Sequence, residues 1–478
     1  MATTTQTQQI EAHELSSPVQ WTERQQSPDP EPPRPELNSD GRMDRKTTLK
    51  VMSASFSFFV AGVNDGSVGA IIPYVIREYN VNTAIVSSVY GATFAGWLFA
   101  AFTNTHLSQY LGVGSMMALG AVFQMVAHAL RAWMPPFGLF VTTFFLVAVG
   151  QAYNDTHANT FVAGVKGAHR WLAVIHASFM GGCLVGPFVA TAIASAGEKS
   201  SWYLFYTFPV GICVVNLAFV CFAFRDSLVV RRETPAERSN AEREDAERSD
   251  AEGSNREGGN DEQMGNSTDG GASRGKNAVG LIVSTLERPS VWLLSGFYFF
   301  YIGSQITSNG WVVEYLVQVR GGDLSSMGYV PAGFNGGCLL GRLLLAEPTH
   351  RLGERRMVFL YCCLALGLQL IFWLVPNIIA ASVAISFIGF FTGPLFATGI
   401  SLGSKLFPHE IHATALAFVF VFAQMGGSLF PIVTGVVASR VGVGALQPIL
   451  VGLLALTGIA WLTVPRPKSS PNAALHQE

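Results

Sequence analysis

Residues 51–76 read VMSASFSFFVAGVNDGSVGAIIPYVI, an apolar run broken near its middle by Asn64-Asp65-Gly66. A helix needs about 20 apolar residues to cross the ~30 Å hydrocarbon core of a bilayer, and this run supplies them. A carboxylate at the centre of such a helix costs about 2.5 to 3.5 kcal/mol on insertion scales, so it faces a bundle interior or a water-filled path. The run therefore reads as a membrane helix bordering a transport pathway.

Eleven further apolar stretches follow, near 84–103, 112–132, 137–160, 171–194 and 202–224, then 290–318, 325–346, 357–375, 378–404, 412–438 and 445–464. With 49% hydrophobic and 13% charged residues in 478, and a mean hydropathy of +0.34, the chain reads as a polytopic membrane protein. The expected fold is an all-α membrane protein with twelve transmembrane helices in two six-helix bundles. The expected domains are a disordered tail over 1–50, bundles over 51–224 and 290–464, a disordered linker over 225–289 and a second tail over 465–478. A formal charge of −2 offers no basic footprint for nucleic acid.

Positive charge collects on one side of this map, at Arg42, Arg45, Lys46, Lys50, Lys166, Arg170, Arg225, Arg231, Arg232, Arg351, Arg355, Arg356, Lys405, Arg466 and Lys468. The opposite loops hold only scattered Arg77, Arg131, Lys199, Arg320 and Arg440. The positive-inside rule then places both termini in the cytosol of a multi-pass protein, expected in the cell membrane. Trp133, Trp171, Trp202, Trp292 and Trp461 lie near span ends as an aromatic belt would, whereas Trp97 and Trp311 do not and read as cavity walls. Cys183, Cys213, Cys221, Cys338, Cys362 and Cys363 all fall in apolar stretches and read as small core residues, with no metal or disulfide spacing.

The first 45 residues are rich in Gln, Pro, Glu and Ser without an apolar core, so they read as a solvated tail and not a cleavable signal. Residues 236–255 carry a five-residue near-repeat, AERSN-AERED-AERSD-AEGSN, whose period fits neither helix nor coiled coil and marks a linker. The halves on either side echo each other. Leu111-Gly112 matches Leu352-Gly353, Gly96-x-x-x-Ala100 matches Gly337-x-x-x-Gly341, and Met180-Gly181-Gly182 matches Met425-Gly426-Gly427. Parallel repeats of this kind are one of the known transporter designs.

Gly341-Arg342 through Arg351-Leu352-Gly353-Glu354-Arg355-Arg356 resembles the loop motif between the second and third helix of each half in the major facilitator superfamily. The first-half copy, Asn104 to Gly114, lacks its charges, and neither copy keeps the loop aspartate. Gly62-Val63-Asn64-Asp65-Gly66, Ile72-Pro73-Tyr74 and Ser308-Asn309-Gly310-Trp311 resemble the fucose-proton symporter branch, in its fungal form related to the bypass-of-stop-codon transporters. That resemblance implies proton coupling by acids on the first and fourth helices, which fall on Asp65 and Asp155. It also implies an acid in the seventh-helix region where this chain has Gln305.

The residues themselves allow the same chemistry. Asp65 and Asp155, on helices expected to line one cavity, are suited to loading and releasing protons, the alternative being static hydrogen-bonded structural acids. His176 lies about as deep in the fifth span as Asp155 in the antiparallel fourth, at 1.5 Å per residue, and suits a proton relay. Asn64, Trp97, His157, Gln305, Asn309, Trp311 and Gln424 are candidates for binding solute, with a packed or carbonyl-bonded histidine the favoured reading of His157 and an equal alternative for His176. Gly182, Gly186 and Pro187 resemble part of the fifth-helix motif of superfamily antiporters, and with Glu314, Arg342, Arg351, Arg355 and Arg356 they are candidates for gating. Glu314 has an alternative reading as an interfacial acid that merely reaches water.

No Ser/His/Asp set, phosphate-binding loop or metal cluster appears on any loop, so no enzyme, cofactor, metal or ATP is expected. The expected activity is secondary active transport of a small organic solute by alternating access, proton-coupled and leaning to efflux of a secondary metabolite. Uptake of a sugar or nutrient by proton symport, and a non-transporting solute sensor on the same framework, are the alternatives. The partners are the solute, protons and the lipid bilayer, without nucleic acid, and the chain is expected to be monomeric.

Overall fold

The structure, a computed structural model, describes residues 44–197, 200–228, 282–408 and 411–465. The tail before residue 44, the pentapeptide repeat with most of the linker, and the end of the chain beyond 465 lie outside the described residues. With no water in the bilayer core to satisfy backbone groups, only helices and closed barrels cross a membrane. The described residues contain helices and no strand.

The first bundle comprises α1 (Arg45–Glu78), α2 (Ser88–Tyr110), α3 (Val113–Ala132), α4 (Phe137–Ala163), α5 (Ala168–Ala194) and α6 (Thr207–Ala223). The second comprises α7 (Pro289–Gln318), α8 (Val330–Leu344), α9 (Glu354–Leu374), α10 (Ile378–Thr392, resuming as Leu395–Leu406), α11 (His412–Val441) and α12 (Leu446–Thr463). Among the described residues, ten helical stretches are long and apolar enough to cross a membrane, against twelve expected from the apolar runs. α7 and α8 fall outside that set. Gln305, Ser308, Asn309 and Glu314 dilute the apolar character of α7, and α8 runs only 15 residues before the chain bends at Leu345. Both are nevertheless integral to the second bundle, α7 packing on α11 and α12, and α8 on α10.

Lipid tails are as apolar as leucine, so helices associate in a membrane through close packing and small residues rather than through a hydrophobic drive. α1 lies against α5 backbone to backbone. A Cβ at Gly62 would come within 2.0 Å of the Phe179 carbonyl oxygen, and one at Gly182 within 2.1 Å of that of Phe59. The two halves reuse one such contact. Gly96 of α2 faces the Phe145 carbonyl of α4, Gly337 of α8 faces the Ser386 carbonyl of α10, and each partner lies 241 residues further along (337 against 96, 386 against 145).

The halves meet where α1 touches α7, where α5 touches α8, and where α11 touches α2 and the short helix Thr83–Val86. Two ends of the molecule follow from the chain path. The basic end carries Lys166, Arg225, Arg351, Arg355 and Lys405, and the far end carries Arg77, Thr83, Trp202 and Arg320.

Candidate functional site

Asp65 is solvent-exposed although Val63, Asn64, Gly66 and Ser67 around it are buried. Gly62 and Gly66 turn the opposite face of α1 onto α5, which leaves the Asp65 carboxylate opening into space enclosed by helices. Its Oδ1 accepts from Asn64 Nδ2 at 2.8 Å and from Gln151 Nε2 of α4 at 3.0 Å. Gln151 also donates to the Ala61 carbonyl at 3.2 Å, so α4 is pinned to α1 on both sides of the acid. Two N–H donors on Oδ1 leave Oδ2 as the oxygen open to a proton or a solute.

Behind Asn64 stands Arg131 of α3, whose Nη1 donates to Asn64 Oδ1 at 2.9 Å and whose Nε donates to Thr143 Oγ1 at 2.7 Å. The guanidinium lies over the Phe144 ring at 3.7 Å from its centroid. Sequence reading placed Arg131 on a loop, whereas it is 1% exposed: α3 runs on to Ala132 and the side chain folds back into the bundle. The missed signal was spacing. Gln124, His128 and Arg131 repeat at helical intervals on an otherwise apolar helix, and all three are buried. His128 stacks on Tyr206 at 6.1 Å between ring centroids.

Asp155 lies one turn beyond Gln151 on α4, partly buried, and its Oδ1 has no hydrogen-bond partner among the described residues. His176 is held between rings, 5.4 Å from Phe58 and 6.0 Å from Phe396 between centroids, so the expected relay from Asp155 is not made as a hydrogen bond. His157 is a packed histidine: Nε2 pairs with Asn104 Oδ1 at 3.0 Å and ties α4 to α2. Beside that pair Trp97, Ala100, Ala101, Asn104, Ala152 and Thr156 line a cavity of about 110 Å³, so Trp97 does form a cavity wall, between α2 and α4.

In the second half, Gln305 Oε1 accepts from Thr392 Oγ1 at 3.2 Å and from the Cys338 thiol at 3.7 Å. Asn309 Oδ1 accepts from Asn335 Nδ2 of α8 at 3.2 Å, and Gln424 is half-buried on α11. Trp311 departs from expectation. It is fully buried, its Nε1 donates to the Pro431 carbonyl at 3.1 Å, and its ring packs at Gly435 of α11, so no face is left for a solute.

Three hydrogen bonds cross between the halves among the described residues, none near the basic end. Arg77 Nη1 meets Glu314 Oε2 at 3.4 Å, Thr83 Oγ1 donates to the Gly435 carbonyl at 2.8 Å, and Asn335 Nδ2 donates to the Cys183 carbonyl at 3.0 Å. The last explains Pro187: proline lacks the N–H that would bond the carbonyl four residues back, which is that of Cys183, and Asn335 takes its place. Glu314 is 0% exposed and is also bonded by Gln318, which overturns its reading as an acid that merely reaches water.

The loop-motif arginines stay within their own half. Arg355 donates to the Leu462 and Val464 carbonyls and receives Trp461 Nε1 on its own carbonyl at 3.0 Å, closing the end of α12. Glu354 pairs with Lys405 at 2.9 Å, Arg351 pairs with Glu347 at 2.5 Å in the open, and Arg356 is exposed. In the first half Lys50 reaches Asp226 at 2.6 Å. Burial pushes the Asp226 carboxyl upward, but the Lys50 hydrogen bond and charge outweigh it and hold the group below the ordinary carboxylate value. Arg342 Nε donates to the Gly393 carbonyl at 3.2 Å, beside the interruption of α10 at Pro394.

A family model described as Major Facilitator Superfamily matches residues 54–388 and 299–478 of the chain. Bypass of stop codon protein 6 of Saccharomyces cerevisiae is 24% identical over 432 residues, 87% of this chain and 82% of the yeast protein. A bacterial homolog of the human lysosomal transporter Spinster, inward-facing and unoccupied, superposes with a TM-score of 0.62 at 13% identity over 88% of this chain and 96% of its own. A mutant of the nucleoside transporter NupG gives 0.62 at 13% identity over 87% and 99%. A mutant of the peptide transporter POT, in complex with sulfate, gives 0.62 at 14% over 90% and 96%. At such identities these likenesses are of fold alone.

Proposed function

The chain belongs to the major facilitator superfamily and is a membrane transporter, and from that premise we propose that it moves a small organic solute by alternating access, coupled to protons at Asp65. The observation that carries this reading is the Asp65 carboxylate: mid-span, exposed within the bundle, and held on one oxygen by Asn64 and Gln151 with the other oxygen open. A structural acid would have both oxygens satisfied and buried.

The inter-half contacts fit one state of such a cycle. Arg77–Glu314, Thr83–Gly435 and Asn335–Cys183 seal the far end and the middle, while no hydrogen bond or ion pair joins the halves at the basic end among the described residues. With the basic end in the cytosol, this is the inward-facing arrangement. Gly182 and Gly186, which resemble part of the antiporter motif, are accounted for by packing on Phe59 and Val63 of α1, so direction is left to the sign of the coupled flux.

The test is a proteoliposome assay with an imposed pH gradient, recording internal pH while a panel of sugars and hydrophobic metabolites is added. Solute-dependent proton movement is the expected result, and its sign distinguishes symport from antiport. Solute binding without flux of either species, in sealed vesicles and folded protein, overturns the carrier reading in favour of a sensor.

A further inference from the structure

We propose that the cleft between the halves holds an anion site, formed by Arg342 of α8 in the second half and His176 of α5 in the first around the ring of Phe396, which selects solutes bearing a carboxylate. The proposal rests on the reading of the chain as a solute carrier and names its substrate class.

Antiparallel geometry brings these residues together. α5 and α8 touch where Asn335 Nδ2 donates to the Cys183 carbonyl. Seven residues are two helical turns, so moving seven positions toward the basic end keeps each helix on its facing surface. On α8 that step leads from Asn335 to Arg342, and on α5 from Cys183 to His176. Both arrive at the same ring: the Arg342 guanidinium carbon lies 5.4 Å and the His176 ring 6.0 Å from the Phe396 centroid.

Arg342 is half-buried and has no carboxylate within ion-pair distance among the described residues. Arg320 and Arg355 at span ends likewise bind only carbonyls, those of Phe372 and Trp373 and those of Leu462 and Val464, whereas others are neutralised or enclosed. Lys50 has Asp226, Arg77 has Glu314 and Lys405 has Glu354, while Arg131 is enclosed by Asn64, Thr143 and Phe144. Arg342 Nε donates to the Gly393 carbonyl, a bond that needs no charge. The planar fork of terminal nitrogens on a guanidinium matches a carboxylate with two parallel hydrogen bonds. Phe396, which packs also on Tyr298 and Phe420, holds the guanidinium and the His176 ring against one apolar surface. Among the described residues, no hydrogen bond joins the halves between this site and the basic end.

The experiment measures thermal stabilisation of the detergent-purified full chain by lactate, succinate, benzoate and cinnamate, each against its neutral amide. At least one carboxylate is expected to stabilise the protein and its amide not to. Arg342→Gln is expected to weaken that binding by about tenfold to a hundredfold, the range for hydrogen bonds to a charged group. Arg342→Lys keeps the charge, serves if the glutamine variant does not fold, and is expected to lose severalfold through loss of the fork. Equal binding of acid and amide, no binding by any carboxylate of the panel, or unchanged affinity in every folded Arg342 variant overturns the site. The readout needs no gradient. Carboxylate binding without proton flux would therefore defeat the coupling and leave the site, whereas proton flux driven only by neutral solutes would defeat the site and leave the coupling.

Discussion

Replacing Arg131 with methionine removes the group that orients Asn64. The guanidinium makes two hydrogen bonds, to Asn64 at 2.9 Å and Thr143 at 2.7 Å, and stands 3.7 Å over Phe144. Hydrogen bonds from a charged donor contribute about 1.5 to 3 kcal/mol each, and a desolvated cation over a ring about 2 kcal/mol. Against this stands a desolvation penalty of several kcal/mol, which methionine, of similar length, also removes. The net loss of stability is then about 1 to 3 kcal/mol, a drop of several degrees in the unfolding midpoint. The functional loss is expected to be larger than that suggests. With Oδ1 of Asn64 no longer held, its amide is free to turn and Asp65 loses one of its two donors, worth about tenfold to a hundredfold in the coupled step. Initial rates of proton-coupled transport in proteoliposomes, normalised to folded protein, measure this. Arg131→Lys, a single point donor that cannot serve both acceptors, should fall between. A methionine variant that folds and transports at the wild-type rate would refute the reasoning.

The other expectations concern how the halves close. Glu314→Gln should loosen the far end by about 1 to 2 kcal/mol, the low side of a broken pair because Arg77 is 44% exposed and partly screened. About tenfold faster labelling of Thr83→Cys from the far side would report it, and an unchanged rate would exclude Glu314 as a latch. Gly182→Ala puts a Cβ 2.1 Å from the Phe59 carbonyl oxygen, about 1.3 Å short of ordinary contact, against backbone that no rotamer change can clear. It should destabilise by about 1 to 3 kcal/mol and slow transport, both read on purified protein, and a neutral outcome would contradict the α1–α5 seam. Arg355→Ala should speed amide exchange at the end of α12 while leaving the transport rate within about twofold, because Arg355 binds only carbonyls of its own half. A large loss of transport would return Arg355 to a gating role.

Membrane physics made much of the fold legible in the sequence. Apolar runs give helices because lipid leaves the backbone no other solution, and the repeated Gly96 and Gly337 patterns point to a contact the two halves share. The same argument failed at Arg131, since a charge near a span end reads as a loop residue unless its spacing from His128 and Gln124 is weighed. Trp311 misled for the opposite reason. A tryptophan far from the interface is as suited to filling the gap over a glycine as to lining a cavity, and only the partner helix, bringing Gly435, decides. The apolar run 290–318 marks α7 although its mean hydropathy is low, because the residues that lower it, Gln305, Asn309 and Glu314, are among those facing the site and the inter-half contacts. Asn335 carries no signal in the sequence, as its importance lies in a carbonyl freed by Pro187 on another helix.

Coupling at Asp65 is tested most directly by comparing solute exchange with net proton-driven flux in the same vesicles for wild type and Asp65→Asn. The asparagine keeps the size of the side chain and an oxygen to accept from Asn64 and Gln151, but cannot carry a proton on and off. Exchange of labelled for unlabelled solute should persist in the variant while solute-dependent proton movement is abolished. Proton movement at the wild-type ratio in Asp65→Asn would contradict the account and move the coupling elsewhere in the cavity.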